Sequence, residues 1–186
     1  LNREELEGSL ELNFAEKNLL ITFHSVTLEK ETAAHQMEEL LVALETLTST
    51  NLIFTMPNAD TDSRALFKMI ERFVSGHANA RVYTSLGQLK YFSCIKYVDG
   101  VIGNSSSGLT EVPSFGKGTI NIGDRQLGRL KAESVIDCDP DRMSILNALE
   151  RLYSSDFKRN LGSVVNPNGN GGAIKKILRV LHEHPL

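Results

Sequence analysis

The chain has few of the features that mark specialised classes of protein. Its 186 residues include 2 cysteines and 5 prolines, and its formal net charge is −3. Cys94 and Cys138 lie in segments that look buried, which favours free core thiols in a reducing cytoplasm over the alternative of a disulfide. The small negative charge gives no indication of nucleic-acid or anionic-membrane binding. The apolar runs are too short for a membrane span.

The remaining composition is that of an ordinary globular protein. Hydrophobic residues make up 41% of the chain and charged residues 23%, and the length suits one well-packed domain or two very small ones. Because the net charge is small and negative, any anionic ligand would be held by a local site and not by a basic face. Because Leu1 and not Met stands first, we expect the chain to be a piece of a longer protein.

Six apolar segments alternate with segments of helical spacing. The predicted strands cover residues 18–23, 52–56, 81–84, 98–102, 118–122 and 134–137. The predicted helices cover residues 28–47, 64–74, 86–95, 111–115, 141–153 and 173–181. Strands that are apolar throughout and alternate with helices indicate a parallel sheet covered on both faces. The pattern predicts an α/β fold, with a Rossmann-like, doubly wound parallel sheet of about six strands.

The two ends of the chain differ from this pattern. Residues 1–17 are polar and charged with scattered leucines, which predicts a lead-in or linker before a domain over residues 18–186. Residues 166–172 are rich in glycine and asparagine, which predicts a hinge or a crossover to something outside the compact unit. A C-terminal helix follows, so that residues 166–186 form a hinge loop and a helix.

The segment Gly103-Asn104-Ser105-Ser106-Ser107-Gly108-Leu109-Thr110-Glu111 is the most informative motif. It joins a buried strand to a predicted helix, and a Gly/Ser-rich turn at a helix N-terminus favours binding of phosphate. Glu111 would lie about one helical turn below, near enough to reach a sugar attached to the phosphate. The alternatives are that Ser105 and Ser106 only cap the helix and that Glu111 only complements the helix dipole.

Polar residues follow each of the first five predicted strands. His24 follows the first strand, Asn58 the second, Leu86 and its neighbours the third, the serine run the fourth, and Arg125 the fifth. Ligands of open α/β sheets bind beyond the carboxyl ends of the strands, so these residues predict a site for a nucleotide-linked substrate. Singly, each has a simpler explanation: His24 bonding a carbonyl, Asn58 forming a turn, Arg125 pairing with a surface carboxylate.

Four segments together resemble the UDP-N-acetylglucosamine 2-epimerases: ITFHSVT, TMPNAD, VIGNSSSGLTEVPSFGKGTINIGDRQLGR and NPNGNGG. The resemblance is to the C-terminal half of these enzymes and covers residue 18 to the end. It is closest to the hydrolysing branch, which makes N-acetylmannosamine and UDP for sialic-acid biosynthesis. The non-hydrolysing relatives carry a basic stretch after the histidine and a paired glycine in the serine turn. This chain has Ser25-Val26-Thr27-Leu28-Glu29 and a serine triplet instead.

The resemblance implies a two-domain GT-B fold whose active site lies in the cleft between two Rossmann-like domains. This chain would supply the C-terminal domain. In that fold, Ser105, Ser106 and the following helix N-terminus would bind the diphosphate, and Glu111 would bind the ribose hydroxyls.

The resemblance also implies roles for four further residues. His24 matches a histidine that is important for activity and placed near the diphosphate. Asn58 would line the cleft, the backbone at Leu86 would contact the uracil, and Arg125 would lie near the nucleotide. The family is thought to remove the C2 proton and expel UDP, giving a 2-acetamidoglucal that water then attacks.

The implied partners are a UDP-sugar substrate and the missing N-terminal domain of the same enzyme. We expect the full-length protein to be a cytoplasmic homo-oligomer that needs no cofactor or metal beyond UDP or UDP-GlcNAc as its ligand. The acidic residues that handle protons lie mainly in the N-terminal domain of this family, so we expect little or no turnover from this chain alone. The alternatives are the donor-binding domain of a GT-B glycosyltransferase and a non-catalytic nucleotide-binding module.

Overall fold

Apolar segments form the strands of one sheet in the computed structural model, which describes residues 1–25, 30–57, 63–169 and 171–184. The strands are β1 (Lys17–Thr22), β2 (Thr50–Thr55), β3 (Ala80–Tyr83), β4 (Gly100–Gly103), β5 (Gly118–Ile122) and β6 (Val135–Cys138). The helices are α1 (Arg3–Leu10), α2 (Lys30–Leu44), α3 (Ser63–Gly76), α4 (Gly87–Tyr97), α5 (Ser107–Thr110), α6 (Arg142–Tyr153), α7 (Ser155–Asn160) and α8 (Ala173–Glu183). Two 3₁₀ turns cover Val112–Phe115 and Leu161–Ser163.

All neighbouring strands pair in parallel, in the order β3-β2-β1-β4-β5-β6. The order confirms the predicted doubly wound sheet, because the chain builds outward from β1 in one direction and then from β4 in the other. The crevice between β1 and β4, where the winding reverses, is the place at which such sheets bind ligands.

The sheet separates two apolar layers. Leu19 and Ile21 of β1 belong to the layer that includes α2, α3 and α6, whereas Leu20 belongs to the layer that includes α1 and α4. Because both faces are covered, successive residues of the central strands are buried, and the middle residues of β1, β2 and β4 are apolar.

Residues 1–17 differ from the expected lead-in or linker. Asn2 caps α1 with a capping box, and Leu6 and Leu10 are 0% and 3% exposed. The Tyr83 hydroxyl donates a hydrogen bond of 2.6 Å to the Leu10 carbonyl. The scattered leucines are therefore the inward face of a short helix that contacts α4, so this segment is not a frayed linker.

The two cysteines are free thiols, as expected from the composition. Cys94 is fully buried and Cys138 is half-buried. Burial raises the pKa of both thiols to about 12, so both are protonated at neutral pH.

Gly103 brings the backbones of β1 and β4 together at the winding reversal. It pairs with Thr22 in register and has φ 143°, a value that L side chains rarely adopt. A Cβ atom at this position would collide with the carbonyl oxygen of Thr22. Glycine is therefore required at this position by both its conformation and its contact.

Asn104 joins the ends of β1 and β4 one residue further on. Its side chain is 2% exposed; Oδ1 accepts a hydrogen bond from the His24 backbone N–H at 2.8 Å, and Nδ2 donates one to the His24 carbonyl at 2.9 Å. These two hydrogen bonds take the place of strand-to-strand backbone hydrogen bonds beyond the end of β1. They fix the backbone of His24 against the turn that follows β4.

The C-terminal helix leaves the compact unit. Asn166 donates hydrogen bonds to the Thr110 carbonyl and the Ser114 hydroxyl, which ties the preceding loop to α5 and the 3₁₀ turn. The residues of α8 are exposed, including an apolar stripe of Ile174, Ile177, Leu178 and Leu181. Neither α8 nor any other helix in the described ranges is long and apolar enough to cross a membrane.

Replacing Gly103 should destabilise the fold strongly. We expect Gly103→Ala to lower the free energy of unfolding by about 3 kcal/mol or more, because the strain and the collision involve backbone atoms that cannot move aside. Urea unfolding measures the change. Gly8→Ala is the control: it lies in α1 with open space around the new Cβ and should stabilise by roughly 0.5–1 kcal/mol. Equal stability of the Gly103→Ala variant and the wild type would contradict the proposed constraint.

Removing the Asn104 side chain should cost about 2–3 kcal/mol of unfolding free energy, since Asn104→Ala leaves a backbone donor and acceptor of His24 without their partners. Chemical denaturation followed by circular dichroism gives the value. Asn147→Ala, at an exposed position on α6, is the matched control and should change stability by less than about 0.5 kcal/mol. A cost at Asn104 no larger than that at Asn147 would show that the bridge does not stabilise the strand ends.

Candidate functional site

A groove of about 720 Å³ lies beyond the carboxyl ends of β1 to β4. Thr22 and His24 border it from the end of β1, and Met56 borders it from the end of β2. Segments after β3 and β4 form the remaining walls. The concavity therefore lies where a doubly wound sheet reverses its winding, as the strand-end pattern predicted.

The structure brings four of the predicted site residues to this groove. These residues are His24, Leu86, Ser105 and Glu111. Ser106 stands beside them at the N-cap of α5. Asn58 lies outside the described residues.

Arg125 is linked to the same region by a hydrogen bond to the backbone of Asn104. Arg125 Nη1 donates to the Asn104 carbonyl at 3.0 Å, and the buried Gln126 side chain donates to the same oxygen at 2.7 Å. Asn104 thus connects the end of β1, through His24, with the loop after β5. His24 and Arg125 therefore lie at the same edge of the sheet, and Asn104 contacts both.

The serine turn presents Ser105 and Ser107 to the groove. Behind the turn, Gly108 packs against β5: a Cβ on Gly108 would lie 2.6 Å from Thr119 Cγ2, and the Thr119 hydroxyl donates to the Gly108 carbonyl at 2.7 Å. The small residues of the motif therefore have two separate structural roles. Gly103 allows close strand contact, and Gly108 lets α5 lie directly on the sheet.

The helix after the turn is shorter and begins earlier than the predicted helix over residues 111–115. It starts at Ser107 and ends after one turn at Thr110, and a 3₁₀ turn follows. Pro113 has no backbone N–H with which to continue an α-helix. Glu111 therefore lies at the junction of the two turns, where its N–H donates to the Ser107 carbonyl at 3.0 Å, and its half-buried side chain borders the groove.

Tyr91 is a groove residue that the sequence reasoning missed. It lies on α4, borders the groove and donates a hydrogen bond of 2.8 Å from its hydroxyl to Ser107 Oγ. Burial raises the pKa of the Tyr91 phenol, and hydrogen bonds with Ser107 and Thr22 oppose the shift only in part. The sequence places Tyr91 on the predicted helix after the third strand, but this position alone does not distinguish a core residue from a binding-site residue.

The groove is lined by hydroxyl groups, a carboxylate and a histidine. Hydroxyl groups of the turn suit phosphate oxygens, and a half-buried carboxylate suits the paired hydroxyls of a sugar. Within the described ranges, no group of three or more His, Cys, Asp or Glu side chains is placed to hold a metal ion.

Known proteins are similar to this chain in sequence and in fold. The family model for UDP-N-acetylglucosamine 2-epimerase matches residues 2–182. A GDP/UDP-N,N′-diacetylbacillosamine 2-epimerase (hydrolyzing) from Campylobacter jejuni is 37% identical over 161 residues, which are 86% of this chain and 41% of the relative. The polysialic acid biosynthesis protein P7 of Escherichia coli is 35% identical over 98% of this chain and 46% of its own length.

Among solved structures, the UDP-GlcNAc 2-epimerase from Neisseria meningitidis bound to UDP-GlcNAc superposes with a TM-score of 0.70 at 16% identity. The superposition covers 97% of this chain and 48% of that protein, so it shows that the two share the fold over half of the larger molecule. The prediction of one Rossmann-like half of a GT-B fold is confirmed. The chain spans less than half the length of the curated relatives it matches.

The family model covers all six strands of the sheet, together with the serine turn, Glu111 and Arg125. The chain belongs to the UDP-N-acetylglucosamine 2-epimerase family.

Proposed function

We propose that this chain is the nucleotide-sugar-binding half of a hydrolysing UDP-N-acetylglucosamine 2-epimerase. The whole enzyme would convert UDP-GlcNAc and water to N-acetylmannosamine and UDP. The observation that carries the proposal is that Glu111, Ser105 and His24 border one groove at the winding reversal of the sheet. A carboxylate for ribose, a hydroxyl for phosphate and a histidine near the leaving group are the groups that this reaction needs from a nucleotide-binding domain.

The chemistry of the leaving group explains these residue types. Expulsion of UDP places negative charge on the oxygen of its β-phosphate, so hydrogen-bond donors arranged in advance around that oxygen lower the barrier. In the proposed complex, Ser105, Ser106 and nearby backbone N–H groups bind the diphosphate, and a cationic His24 lies beside the leaving oxygen. Because Asn104 fixes the His24 backbone on both sides, this histidine needs little rearrangement when UDP leaves.

The remaining contacts orient the nucleotide. Glu111 binds the ribose hydroxyls, the backbone at Leu86 contacts the uracil, Arg125 lies near the nucleotide, and Asn58 lines the cleft. These roles divide the site between recognition of the nucleotide by this chain and abstraction of the C2 proton by groups elsewhere in the full-length enzyme.

Three observations favour the hydrolysing branch. His24 is followed by Ser25-Val26-Thr27-Leu28-Glu29 and not by a basic stretch, and the turn is a serine triplet where non-hydrolysing relatives have paired glycines. The relative from Campylobacter jejuni is hydrolysing by name. Its name gives GDP- or UDP-linked N,N′-diacetylbacillosamine as its substrate, and the UDP-linked form is the second candidate substrate for this chain because it differs from UDP-GlcNAc only in the sugar.

The other half of the enzyme is proposed as the partner of α8. The apolar stripe Ile174, Ile177, Leu178 and Leu181 is exposed, and the loop before it is tied to α5 by Asn166. An amphipathic helix on the outside of a domain needs a second surface to cover it. We propose that the missing N-terminal domain covers this stripe and that the complete enzyme is a cytoplasmic homo-oligomer.

Loss of the Glu111 carboxylate should weaken binding of UDP to this chain. We expect Glu111→Ala to raise the Kd for UDP by roughly 10- to 100-fold, because a hydrogen bond from a ribose hydroxyl to a carboxylate contributes about 1.5–3 kcal/mol. Titration calorimetry measures the Kd. Glu150→Ala, at an exposed position on α6, is the control and should leave the Kd unchanged. An unchanged Kd for Glu111→Ala, with a wild type that binds UDP, would remove the ribose assignment.

The isolated chain should bind UDP without turning over UDP-GlcNAc, whereas the full-length enzyme should release free N-acetylmannosamine. The reason is that the groups expected to abstract the C2 proton lie outside this chain. Analysis of the sugar product by mass spectrometry checks both expectations, with the UDP-linked diacetyl sugar as a second substrate. In the full-length enzyme, His24→Ala should abolish turnover while UDP binding persists. Release of UDP-N-acetylmannosamine in place of the free sugar would reject the hydrolysing assignment, and robust turnover by the isolated chain would reject its role as a half-site.

A further inference from the structure

Four hydroxyl groups line the groove in two hydrogen-bonded pairs. They belong to Thr55, Thr22, Tyr91 and Ser107. The hydroxyl oxygens of Thr55 and Thr22 are 2.9 Å apart, and Tyr91 donates to Ser107 Oγ at 2.8 Å. The first pair joins the ends of β2 and β1, and the second joins α4 to the first residue of α5.

The hydrogen bond from Tyr91 determines the direction in which the Ser107 hydroxyl can donate. A serine hydroxyl has one proton and two acceptor sites, and the Tyr91 proton occupies one of these acceptor sites. The Ser107 proton must therefore point away from Tyr91. Ser107 borders the groove, so a ligand in the groove is available to receive that proton.

Tyr91 is a dependable donor in this arrangement. It is half-buried beside two largely buried threonines, Thr22 at 7% and Thr55 at 8% exposure. Burial raises the pKa of the phenol, which keeps the proton on Tyr91 throughout the neutral range.

Resting on the proposal that this groove binds UDP, we infer that Ser107 is a further phosphate-binding residue and that Tyr91 is its positioning residue. Tyr91 holds the Ser107 hydroxyl with its proton directed at the diphosphate. Ser107 begins α5 and Glu111 follows its end, so their Cα atoms are separated by about 6 Å along the helix axis. One short helix would then present a phosphate donor at its start and a ribose acceptor after its end.

A double-mutant cycle on UDP binding tests this inference in the chain itself. We expect Ser107→Ala to raise the Kd for UDP about 10-fold, since a hydrogen bond to a charged oxygen is lost. Tyr91→Phe keeps the ring and removes only the proton that orients Ser107, and we expect a rise of roughly 5-fold. Because Tyr91 acts through Ser107, Tyr91→Phe should cause no further loss in the Ser107→Ala background.

Two controls separate orientation from general damage. Ser107→Thr keeps a hydroxyl and should restore most of the affinity that Ser107→Ala loses. Tyr97→Phe, on the same helix but outside the groove lining, should leave the Kd unchanged. Thermal melting of each variant without ligand verifies that the folded chain is being compared.

The outcomes distinguish the inference from the function on which it rests. A wild type that fails to bind UDP at millimolar concentration overturns both. If the wild type binds UDP, two results would overturn the role of the Tyr91–Ser107 pair and leave the proposed function standing. One is an unchanged affinity in Ser107→Ala, and the other is a double variant in which the losses of affinity of the two single variants multiply. The inference is supported if Tyr91→Phe lowers the affinity in the wild-type background and causes no further loss in the Ser107→Ala background.

Discussion

The close approach of the β1 and β4 backbones at Gly103 is the constraint on which the groove depends. A side chain there would meet the Thr22 carbonyl oxygen and separate the two strands where the sheet reverses its winding. Asn104 follows immediately, and its two bonds to the His24 backbone need that spacing. The Asn104 carbonyl in turn accepts a hydrogen bond from Arg125. A single glycine thus sets the relative positions of three strand ends before any functional side chain is considered.

The site relies on oriented dipoles more than on net charge. The chain carries a formal net charge of −3, and the described groove wall offers hydroxyls beside the Glu111 carboxylate instead of a cluster of lysines and arginines. Dipoles held by rigid strand ends lose little energy in reorganisation when charge develops on a leaving group. In the proposed complex, the UDP diphosphate would accordingly be held by hydroxyl and backbone donors and not by a positively charged patch.

The sheet was predictable from the sequence because its strands are apolar at successive positions and separated by helical segments. The polar strand ends predicted where a site would form, and His24, Leu86, Ser105 and Glu111 do lie together. Features that depend on contacts between distant segments were not predictable. The burial of Leu6 requires the surface of α4, the link from His24 to Arg125 requires Asn104 between two strands, and the pairing of Tyr91 with Ser107 joins separate helices. Single-sequence periodicity contains no information on such contacts.

The burial of α1 has a practical consequence for dividing the protein into domains. A boundary at residue 18, directly before the first predicted strand residue, would remove Leu6, Leu10, Leu12 and Phe14 from one of the two apolar layers. Removal would uncover the apolar surface of Leu20, Ile53 and Val101, which belong to the same layer. Exposed apolar surface of this kind promotes aggregation. The smallest piece suited to expression and crystallisation therefore begins at the Asn2 cap, well before the point at which the sheet starts.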